Sequence, residues 1–420
     1  MTGPTTGPIP GPTGGRAPGR GPRVIVVGAG PVGLTAALTL ARAGVAVTVL
    51  ERSPQLASDS RAATVHPATL DLLAGLGVAE PLITSGTRVD RLQWRTCRGR
   101  VLAEMSMHLL TGLTGHPFRL HAEQAVLLPL LARELALHPH AQLRLGAAAD
   151  AITDTGSQVH IHAGGQWETA DYAIAADGAH STIRSLLGVP LATTPYPTQA
   201  LRVLTDTPLQ QRLPGLAPLT YLRDRRLSCS LLQLPDHWRI VFRLPIKKGP
   251  RPAAPNLAQR SSRAAVTALT GQALPGVGKN LRIVDAHTYR LARGVVPSFR
   301  HGRLLFVGDA AHLTSTAGGL NMNAGIQEAA ELGDVLPAVL SGGVPDAALD
   351  EWASRRRHIL LHAVIPRAEA RVAGVQDRDQ HRLRAAVTRV RAIAADPEAT
   401  RTYLVESSLL DIIPSHIPTR

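Results

Sequence analysis

The chain has 420 residues, 44% of them hydrophobic, which is enough to build the core of an enzyme with two or three structural units. The formal net charge is +14, but only 3% of the residues are aromatic, so few rings are available to stack on nucleic-acid bases. The arginines are scattered and form no long basic run, so we predict no nucleic-acid partner. Cys97 and Cys229 are isolated and lack metal-site spacing, which without a convincing export signal predicts a cytoplasmic location.

The N-terminal region could be mistaken for a targeting segment. Residues 1–22 repeat Gly, Pro and Thr, which predicts a disordered tail. Residues 24–41 carry no charge and follow several arginines, so a signal peptide or a membrane span is the alternative interpretation. Three glycines and a proline in this stretch would break a spanning helix, and we therefore predict no membrane association.

Residues 24–51 have the outline of a dinucleotide-binding unit. A buried parallel strand is predicted first, and it is followed by glycines in the pattern G-x-G-x-x-G at Gly28, Gly30 and Gly33. Gly28 permits a sharp turn, Gly30 lets the backbone approach a pyrophosphate, and Gly33 lets the next helix lie close to the strand. That helix begins with a proline in its first turn, and its unpaired N–H groups can bind the anion.

A carboxylate stands at the end of the next predicted strand, Ala46–Leu50. This residue, Glu51, can accept hydrogen bonds from both hydroxyls of an adenosine ribose and disfavours a 2′-phosphate. The segment predicts a dinucleotide site but does not say which dinucleotide binds there.

A β-rich segment interrupts the alternation of helices and strands that follows. Residues 190–288 are strand-rich and interrupted by prolines, with Leu227–Leu234 and Arg239–Leu244 as an antiparallel pair. They predict a second, mostly β unit. Elsewhere we predict the helices His66–Gly77 and Ala122–Ala136 and the strands Val24–Val27, Gln142–Leu145, Gln158–His162, Tyr172–Ala176 and Arg303–Val307.

Prolines and a glycine are expected to delimit the C-terminal helices. Pro337 is expected to end a helix that begins at Asn323. The helical segment 347–395 is expected to break at Pro366 and at Gly374.

Two further motifs flank the β-rich unit. A predicted strand runs into D-G-x-x-S-x-x-R at residues 177–184, a pattern that a plain strand-to-helix turn also produces. The strand Leu304–Val307 runs into Gly308 and Asp309 and then into the glycine-rich segment 317–325. Asp309 can bind ribitol hydroxyls, and residues 318–323 can offer backbone N–H groups to an electron-poor ring or a developing anion.

Together the three motifs resemble those of the FAD-dependent aromatic hydroxylase family, the single-component monooxygenases with a para-hydroxybenzoate hydroxylase-like fold. The resemblance covers residues 23–371. It implies an α/β fold in which an FAD-binding Rossmann-like domain carries an inserted antiparallel β-sheet substrate domain and C-terminal helices. The implied division gives residues 23–90, 119–189 and 289–345 to the FAD-binding domain, 91–118 and 190–288 to the substrate domain, and 346–420 to the helical region.

The resemblance also implies which residues bind FAD. The fingerprint and its terminal acid would bind the ADP half, the D-G motif would serve both FAD and the pyridine nucleotide, and the G-D motif would hold the ribityl chain. Arg61 and Gln124 stand where the family contacts the flavin side. The complete implied set is Gly28, Gly30, Val32, Gly33, Glu51, Arg52, Arg61, Gln124, Asp177, Gly308, Asp309, Gly318, Gly319, Leu320, Asn321, Met322 and Asn323.

The implied chemistry is carried by the cofactor, so we identify no catalytic side chain and no metal site. In the family, NAD(P)H reduces the flavin, O₂ forms a C4a-hydroperoxide, and the distal oxygen is transferred to an electron-rich ring or alkene. We therefore expect hydroxylation or epoxidation of an aromatic or polyketide-type natural product, as in antibiotic biosynthesis and other secondary metabolism. A largely apolar pocket with few aromatic residues favours a sizeable polycyclic molecule.

Five positions depart from the family pattern. Ser315 and Thr316 replace prolines, Asn321 replaces a glycine, Glu328 replaces an aspartate, and Glu331 replaces a frequent asparagine. Because proline and glycine shape the loop beside the flavin, we expect FAD binding to survive these changes and the oxygen chemistry to be altered by them.

Two alternatives to a monooxygenase remain open. An FAD-containing non-redox cyclase of a polyketide pathway would convert its substrate without consuming NAD(P)H. A non-catalytic flavin-binding or nucleic-acid-binding protein would neither oxidise NAD(P)H nor transform a substrate. For either enzyme we expect a small-molecule substrate and a monomer or homodimer.

Overall fold

The computed structural model of the protein describes residues 23–58, 62–224, 227–246, 259–260, 262–376 and 380–413. The predicted tail, residues 1–22, and the predicted site residue Arg61 lie outside them. None of the described helices has both the length and the apolar character that crossing a bilayer requires.

The strands of the described residues form four sheets. In chain order they are β1 (Arg23–Val27), β2 (Ala46–Glu51), β3 (Thr64–Val65), β4 (Thr87–Val89), β5 (Arg91–Arg95), β6 (Val101–Ser106), β7 (Arg119–His121), β8 (Ala141–Leu145), β9 (Ala149–Asp154), β10 (Val159–Ala163), β11 (Gln166–Ala170), β12 (Tyr172–Ala175), β13 (Thr193–Thr205), β14 (Leu219–Arg223), β15 (Ser228–Gln233), β16 (Trp238–Pro245), β17 (Gln259–Arg260), β18 (Ile283–Val295), β19 (Arg300–His301), β20 (Leu304–Phe306) and β21 (His312–Leu313).

The helices lie against these sheets, and the last four follow one another at the C-terminus. In chain order the α-helices are α1 (Pro31–Arg42), α2 (Pro67–Gly75), α3 (Ala79–Thr84), α4 (Gln124–Leu135), α5 (Thr182–Leu186), α6 (Leu209–Arg212), α7 (Arg263–Ala273), α8 (Leu320–Leu340), α9 (Ala348–Ile359), α10 (Ile365–Gln376), α11 (Gln380–Ala395) and α12 (Pro397–Ser407).

A six-stranded sheet forms the centre of the nucleotide-binding part, with the strand order β19-β20-β12-β1-β2-β8. All neighbouring strands are parallel except β19 and β20. Its central strands are apolar because helices and neighbouring segments bury both faces, as the run Val24–Val27 illustrates. The strands predicted at both ends of the fingerprint are confirmed as β1 and β2.

The second large sheet has the order β17-β18-β13-β16-β15-β14-β5-β6, with β21 paired to β18. The predicted antiparallel pair is confirmed as β15 and β16, in which Leu231 lies opposite Ile240. The sheet is not purely antiparallel, because β5 returns from an earlier part of the chain and pairs parallel to β14. The Rossmann-like domain with an inserted, mostly antiparallel sheet and C-terminal helices is the predicted fold.

The two faces of this sheet have different surroundings because side chains alternate along a strand. In β16, Ile240 and Phe242 point into a hydrophobic core that also contains Val266 of α7. Arg239, Val241 and Arg243 point to the other face, towards the nucleotide-binding part. The sheet therefore has one structural face and one face available to a ligand.

Two predicted helix ends are wrong. Helix α8 continues past Pro337 to Leu340, because a proline removes only its own N–H bond while the Ser341 N–H still bonds the Pro337 carbonyl at 3.0 Å. Helix α10 runs through Gly374 to Gln376, because glycine costs a helix only about 1 kcal/mol relative to alanine. The break expected at Pro366 takes the form of a π-helical turn, residues 360–364, immediately before α10.

Candidate functional site

The three predicted motifs lie side by side at one edge of the six-stranded sheet. They follow β1, β12 and β20, which are neighbours, and β2 lies next to β1 and ends in Glu51. The register is fixed by backbone hydrogen bonds from Ala176 N–H to the Val27 carbonyl, 2.8 Å, and from Val307 N–H to the Ala175 carbonyl, 3.1 Å. The carboxyl edge of parallel strands is where open α/β sheets bind ligands. Segments more than 250 residues apart in sequence thus form one site.

The glycine loop has the geometry that the fingerprint predicts. Gly28 has φ +107°, and a Cβ there would collide with the Ala176 carbonyl. A Cβ at Gly33 would collide with the Gly28 carbonyl, so this glycine is needed for close packing of helix and strand. No protein atom lies within 4 Å of a Cβ built at Gly30, among the described residues. This loop therefore has an open side at Gly30.

Helix α1 begins next to this loop and leaves its first N–H groups available. Its N-cap residue, Gly30, has no side chain to accept a hydrogen bond, and its first turn contains no acidic residue. The unpaired N–H groups and the helix dipole favour a bound anion.

Glu51 lies beside the loop, partly exposed. Its Oε2 accepts a hydrogen bond from the Ala29 N–H at 2.8 Å, and its Oε1 accepts one from the Ser53 N–H at 2.9 Å. Each carboxylate oxygen can accept a second hydrogen bond, so acceptors remain for ribose hydroxyls. Arg52, the next residue, is exposed.

The D-G motif is connected to the G-D motif by a side chain. Asp177 Oδ2 accepts a hydrogen bond from the Ile183 N–H at 3.0 Å, while its buried Oδ1 has no partner among the described residues. Arg184 donates to the Ala179 carbonyl at 2.8 Å and to the Ala310 carbonyl at 2.9 Å. Burial lowers the pKa of Arg184, and the Asp177 carboxylate partly offsets this. Arg184 therefore links the two motifs structurally, and Asp177 Oδ1 is an acceptor without a partner among the described residues.

The G-D loop packs directly on the fingerprint helix. Gly308 has φ +58°, and a Cβ there would come within 3.0 Å of the Val32 side chain in α1. A Cβ at Gly325 of α8 would come within 2.8 Å of Val32 and 3.0 Å of the Gly308 Cα. The absence of side chains at both glycines lets α1, α8 and the G-D loop meet.

A chain of hydrogen bonds runs behind the G-D loop. Glu328 accepts the Gly308 N–H at 2.9 Å through one oxygen, and its other oxygen lies 2.7 Å from His312 Nε2. His312 Nδ1 lies 3.0 Å from the Asn321 side-chain oxygen, and the Asn321 amide donates to Asp309 at 2.6 Å. Because both ring nitrogens face acceptors, the arrangement favours the imidazolium form of His312. Two of the departures from the family pattern, Asn321 and Glu328, thus belong to one network.

The surroundings of His312 change its pKa in opposite directions. Complete burial lowers the pKa, but the Glu328 and Asp309 carboxylates and the hydrogen bonds to Glu328 and Asn321 outweigh it, and the pKa is raised above its ordinary value.

We expect the raised pKa of His312 to make the free energy of unfolding fall as the pH rises above about 6.5. The imidazolium stabilises the folded protein fully below the unfolded pKa, and this contribution is lost as the pH passes the higher folded pKa. The slope from this group is at most about 1.4 kcal/mol per pH unit. Urea unfolding at a series of pH values measures it. Glu328→Gln should remove this part of the slope and His108→Gln, an exposed control, should not; equal slopes for wild type and Glu328→Gln would contradict the assignment.

The glycine-rich segment before α8 is held by buried polar groups. Gly319 is the N-cap of α8 with φ +68°. Asn323 donates to the Gly319 carbonyl at 2.6 Å and to the Thr64 carbonyl at 2.9 Å, and its oxygen accepts the His66 N–H at 2.9 Å. His66 Nε2 lies 2.9 Å from the Gly318 carbonyl, and burial lowers the pKa of His66 well below its ordinary value. A neutral imidazole and an asparagine therefore fix the loop.

A cavity of about 1250 Å³ adjoins this loop. It extends from the G-D loop to the ligand face of the large sheet, and α10, α11 and α12 cover it. The predicted site residues that line it are Gln124, Asp309, Gly318, Gly319, Asn321 and Met322.

The other predicted site residues lie around the cavity or away from it. Leu320 and Asn323 are buried beside it, and Gln124 donates to the Met322 sulfur at 3.6 Å at its edge. The glycine loop and Glu51 belong to the neighbouring part of the sheet edge, where the ADP half is predicted. The structure thus brings the flavin-side and nucleotide-side residues to one edge, with only the flavin-side set on the cavity wall.

Two features of the cavity were not predicted from the sequence. The first is its positive charge, since the described part of the wall includes ten arginines and two carboxylates. The sequence indicates this charge in β16, because side chains alternate along a strand and Arg239 and Arg243 therefore lie on the ligand face on either side of Val241. The second is the cover of C-terminal helices. It is indicated by the roughly helical spacing of the α11 residues on the wall, which are Arg382, Ala385, Ala386, Val387, Arg389, Val390 and Ile393.

One of the loop departures contacts this charged wall. Thr316, which replaces a proline of the family pattern, accepts a hydrogen bond from Arg243 at 2.7 Å. A proline at this position could not provide that hydroxyl, so the substitution joins the glycine-rich segment to the large sheet.

The residues present fit FAD. The Gly30 opening would be filled by a Cβ, the α1 N-terminus offers unpaired N–H groups, and the buried Asp177 Oδ1 lacks a protein partner among the described residues. A Rossmann-like domain, a second sheet with one face open to a ligand and a cavity between them are the parts of an FAD-dependent monooxygenase.

The comparisons with known proteins agree with this class. A family model described as FAD binding domain matches residues 22–366, and the chain belongs to this family. Its resemblance to the FAD-dependent aromatic hydroxylases is thereby confirmed. The chain is 27% identical over 362 residues to para-nitrophenol 4-monooxygenase of Pseudomonas sp. (strain WBC-3), covering 85% of this chain and 88% of that protein.

The chain is also similar to a second monooxygenase in sequence and to a solved crystal structure in fold. The chain is 31% identical to a 12-dehydrotetracycline 5-monooxygenase/anhydrotetracycline 6-monooxygenase of Streptomyces rimosus, over 80% of this chain and 66% of that protein. The crystal structure of p-nitrophenol 4-monooxygenase PnpA from Pseudomonas putida DLL-E4 superposes with a TM-score of 0.82 at 25% identity, covering 93% of this chain and 98% of that one.

Proposed function

We propose that the protein hydroxylates or epoxidises an aromatic or polyketide-type small molecule, with FAD as bound cofactor and NAD(P)H as reductant. The observation that carries this proposal is the meeting of three motifs at one sheet edge, next to a cavity that reaches the second sheet. Relatives named for para-nitrophenol and for tetracycline intermediates support an aromatic or polyketide substrate.

The proposed roles of the binding residues follow from their positions. The N–H groups of the first turn of α1 bind the pyrophosphate beside Gly30, and Glu51, next to Arg52, accepts the ribose hydroxyls. Asp309, which Asn321 orients, accepts hydrogen bonds from ribityl hydroxyls. Asp177 provides a further acceptor through its free Oδ1.

The N-terminus of α8 contributes to the electrostatics of the cavity. Gly318 and Gly319 line the wall, and the first-turn N–H groups of this 21-residue helix lie beside them. We assign to them the stabilisation of negative charge on the ring that binds there. When bound, FAD supplies electron transfer from NAD(P)H and activation of O₂.

The remaining parts of the chain are assigned by position. Residues 23–90, 119–189 and 289–345 form the FAD-binding domain, residues 91–118 and 190–288 form the substrate domain, and the C-terminal helices exclude water from the cavity. We propose a cytoplasmic enzyme that works as a monomer or homodimer.

The test is to purify the protein, record its visible spectrum and follow NADH and NADPH oxidation with and without substrate candidates. We expect a yellow protein that releases FAD on denaturation. A substrate found among aromatic and polyketide-type candidates, with and without a carboxylate, should increase NAD(P)H oxidation several-fold, and the product should contain one atom of labelled O₂.

Two results would contradict the proposal. A colourless protein, after FAD has been offered, would exclude the assignment of all three motifs. Conversion of a polyketide substrate with the flavin oxidised throughout and without NAD(P)H consumption would support the non-redox cyclase instead.

A further inference from the structure

Two guanidinium groups converge on one carbonyl at the wall of the cavity. Arg119 of β7 donates to the Ser407 carbonyl at 2.9 Å and to the Ser407 hydroxyl at 2.8 Å. Arg371 of α10 donates to the same carbonyl at 3.4 Å. Two like charges thus lie side by side, and Arg119 is only 1% exposed.

Each of these side chains also keeps a buried donor without an acceptor. Within the described part of the chain, Nε of Arg119 and Nη1 of Arg371 have no hydrogen-bond partner. Neither side chain takes part in an ion pair there. Arg371 also lies against Gly318, where a Cβ would collide with its guanidinium. The free donor of Arg371 is therefore next to the loop on which the flavin ring is proposed to bind.

Two other arginines of the wall have their own carboxylates. Arg202 pairs with Asp285 at 2.7 Å, and Arg239 pairs with Glu123 at 2.9 Å. Of the two carboxylates on the described wall, Asp309 is bound by Asn321 and Glu406 is exposed. No carboxylate of the described residues forms an ion pair with Arg119 or Arg371.

Burying an unpaired cation is strongly unfavourable, and a second cation beside it adds repulsion. Consistent with this, burial is the largest influence on the pKa of Arg119 and lowers it; Tyr221 and Tyr403 raise this pKa, and the neighbouring Arg371 lowers it. An anion placed between the two groups would remove both penalties. Guanidinium N–H groups match the two oxygens of a carboxylate in spacing and direction, so a carboxylate is the anion that this pair suits.

Aromatic side chains lie near the same pair. The Trp94 ring is 5.2 Å from the Tyr221 ring and 6.3 Å from the Tyr403 ring, and all three line the cavity. Tyr221 and Tyr403 are electrostatic neighbours of Arg119, and Tyr221 also forms a hydrogen bond with the Arg119 side chain, which leaves Nε as the atom without a partner. Although the chain has few aromatic residues, three of them are concentrated where a ligand ring would lie beside the arginines.

We propose that the substrate is an aromatic carboxylate and that Arg119 and Arg371 bind its carboxylate group, with Trp94, Tyr221 and Tyr403 against its ring. The proposal rests on the proposed function, because it makes this cavity the substrate site of a monooxygenase. It narrows the expectation of a sizeable polycyclic substrate to one that carries a carboxylate, in a cavity whose wall is mostly apolar as expected.

The experiment compares two probes that differ in charge and hardly in shape. Binding of 2-naphthoate and of 2-naphthamide to the FAD-loaded protein is measured by titration calorimetry at neutral pH and at two salt concentrations. We expect wild type to bind the carboxylate at least about tenfold more tightly, since hydrogen bonds to charged groups exceed neutral ones by that amount. The preference should shrink at high salt.

Variants assign the preference to the arginine pair. Arg371→Gln should reduce naphthoate affinity at least about tenfold and leave naphthamide affinity nearly unchanged. Arg384→Gln is the matched control, because Arg384 is an exposed arginine on α11 that is not part of the cavity wall. If Arg371→Gln or Arg119→Gln does not fold, Arg371→Lys keeps the charge and should bind naphthoate with intermediate affinity.

Several outcomes would overturn the proposal. Equal affinity of wild type for both probes would do so directly. The proposal is also wrong if Arg371→Gln still prefers naphthoate over naphthamide. It is wrong as well if Arg371→Gln weakens FAD binding and leaves naphthoate binding unchanged, because Arg119 and Arg371 would then bind the cofactor. If the protein oxidises NAD(P)H with a substrate but binds naphthoate and naphthamide equally, only the carboxylate site is contradicted. If the protein is colourless but still prefers naphthoate, only the monooxygenase assignment is contradicted.

Discussion

Gly30→Ala is expected to lower FAD affinity by about 100-fold or more while the protein stays folded. A Cβ at this position meets no described protein atom within 4 Å, and the backbone has φ −74°, which alanine adopts readily. The Cβ would instead occupy the space proposed for the pyrophosphate and separate it from the α1 N–H groups. Losing two hydrogen bonds to a charged group costs about 3 kcal/mol or more, which corresponds to this factor. Titration of the apoprotein with FAD measures the affinity.

Two other glycines are the controls for this experiment. Gly28→Ala should unfold the protein or destabilise it by several kcal/mol, because its Cβ would collide with the Ala176 backbone at a φ that alanine rarely adopts. Gly75→Ala, at the end of α2 with open space around it, should change neither stability by more than about 1 kcal/mol nor FAD affinity. Gly30→Ala with wild-type FAD affinity would mean that the loop does not contact the pyrophosphate.

The contrast between these glycines explains why the nucleotide half of the site could be predicted from the sequence. The roles of Gly28 and Gly33 depend on contacts within one strand-turn-helix unit and its neighbouring strand, and such local geometry leaves a short pattern in the sequence. The position of Glu51 could also be predicted, because the length of α1 and the register of β2 place it beside the same loop. These elements have strong hydrophobic periodicity, so their boundaries were also predicted to within a few residues.

The charged side of the cavity could not be predicted in the same way. Arg119 and Arg371 are 252 positions apart, and they become neighbours only because α10 and α12 cover the small sheet that contains β7. Each arginine alone resembles the scattered arginines of a basic chain. A sequence pattern records which face of an element a side chain occupies, but not which distant element lies opposite that face.

The departures from the family pattern illustrate the same limit. The sequence marked Glu328 as unusual, but its function depends on the Gly308 N–H and His312, which only the folded chain brings within reach of its two oxygens. Arg356, in a cluster of three arginines on a polar helix, is almost completely buried and donates to the Gln327 carbonyl at 2.9 Å. The partners of Glu328 and of Arg356 thus depend on the folded chain, and a comparison with a motif does not show them.

Glu331→Gln is expected to reduce the free energy of unfolding by about 3–5 kcal/mol. Glu331 is 1% exposed and pairs with two arginines of α9, Arg355 and Arg356. Arg356 is 2% exposed; burial lowers its pKa, and Glu331 is the largest of the influences that raise it. Removing the carboxylate leaves this cation buried without its closest countercharge, which is the costly way to break a buried pair. Urea unfolding at neutral pH measures the loss.

Variants of the two arginines that pair with Glu331 distinguish the free-energy cost of a buried unpaired charge from the cost of losing an exposed ion pair. Arg355 has a side chain that is 44% exposed, so Arg355→Gln should cost less than about 1 kcal/mol although it breaks an ion pair to the same carboxylate. The double variant Glu331→Leu/Arg356→Met removes both buried charges and should recover most of the stability that Glu331→Gln loses. If the double variant is as unstable as the single one, packing and not the unpaired Arg356 guanidinium accounts for the effect. Because Glu331 is outside the cavity wall, FAD affinity of the folded protein should stay unchanged in all three variants.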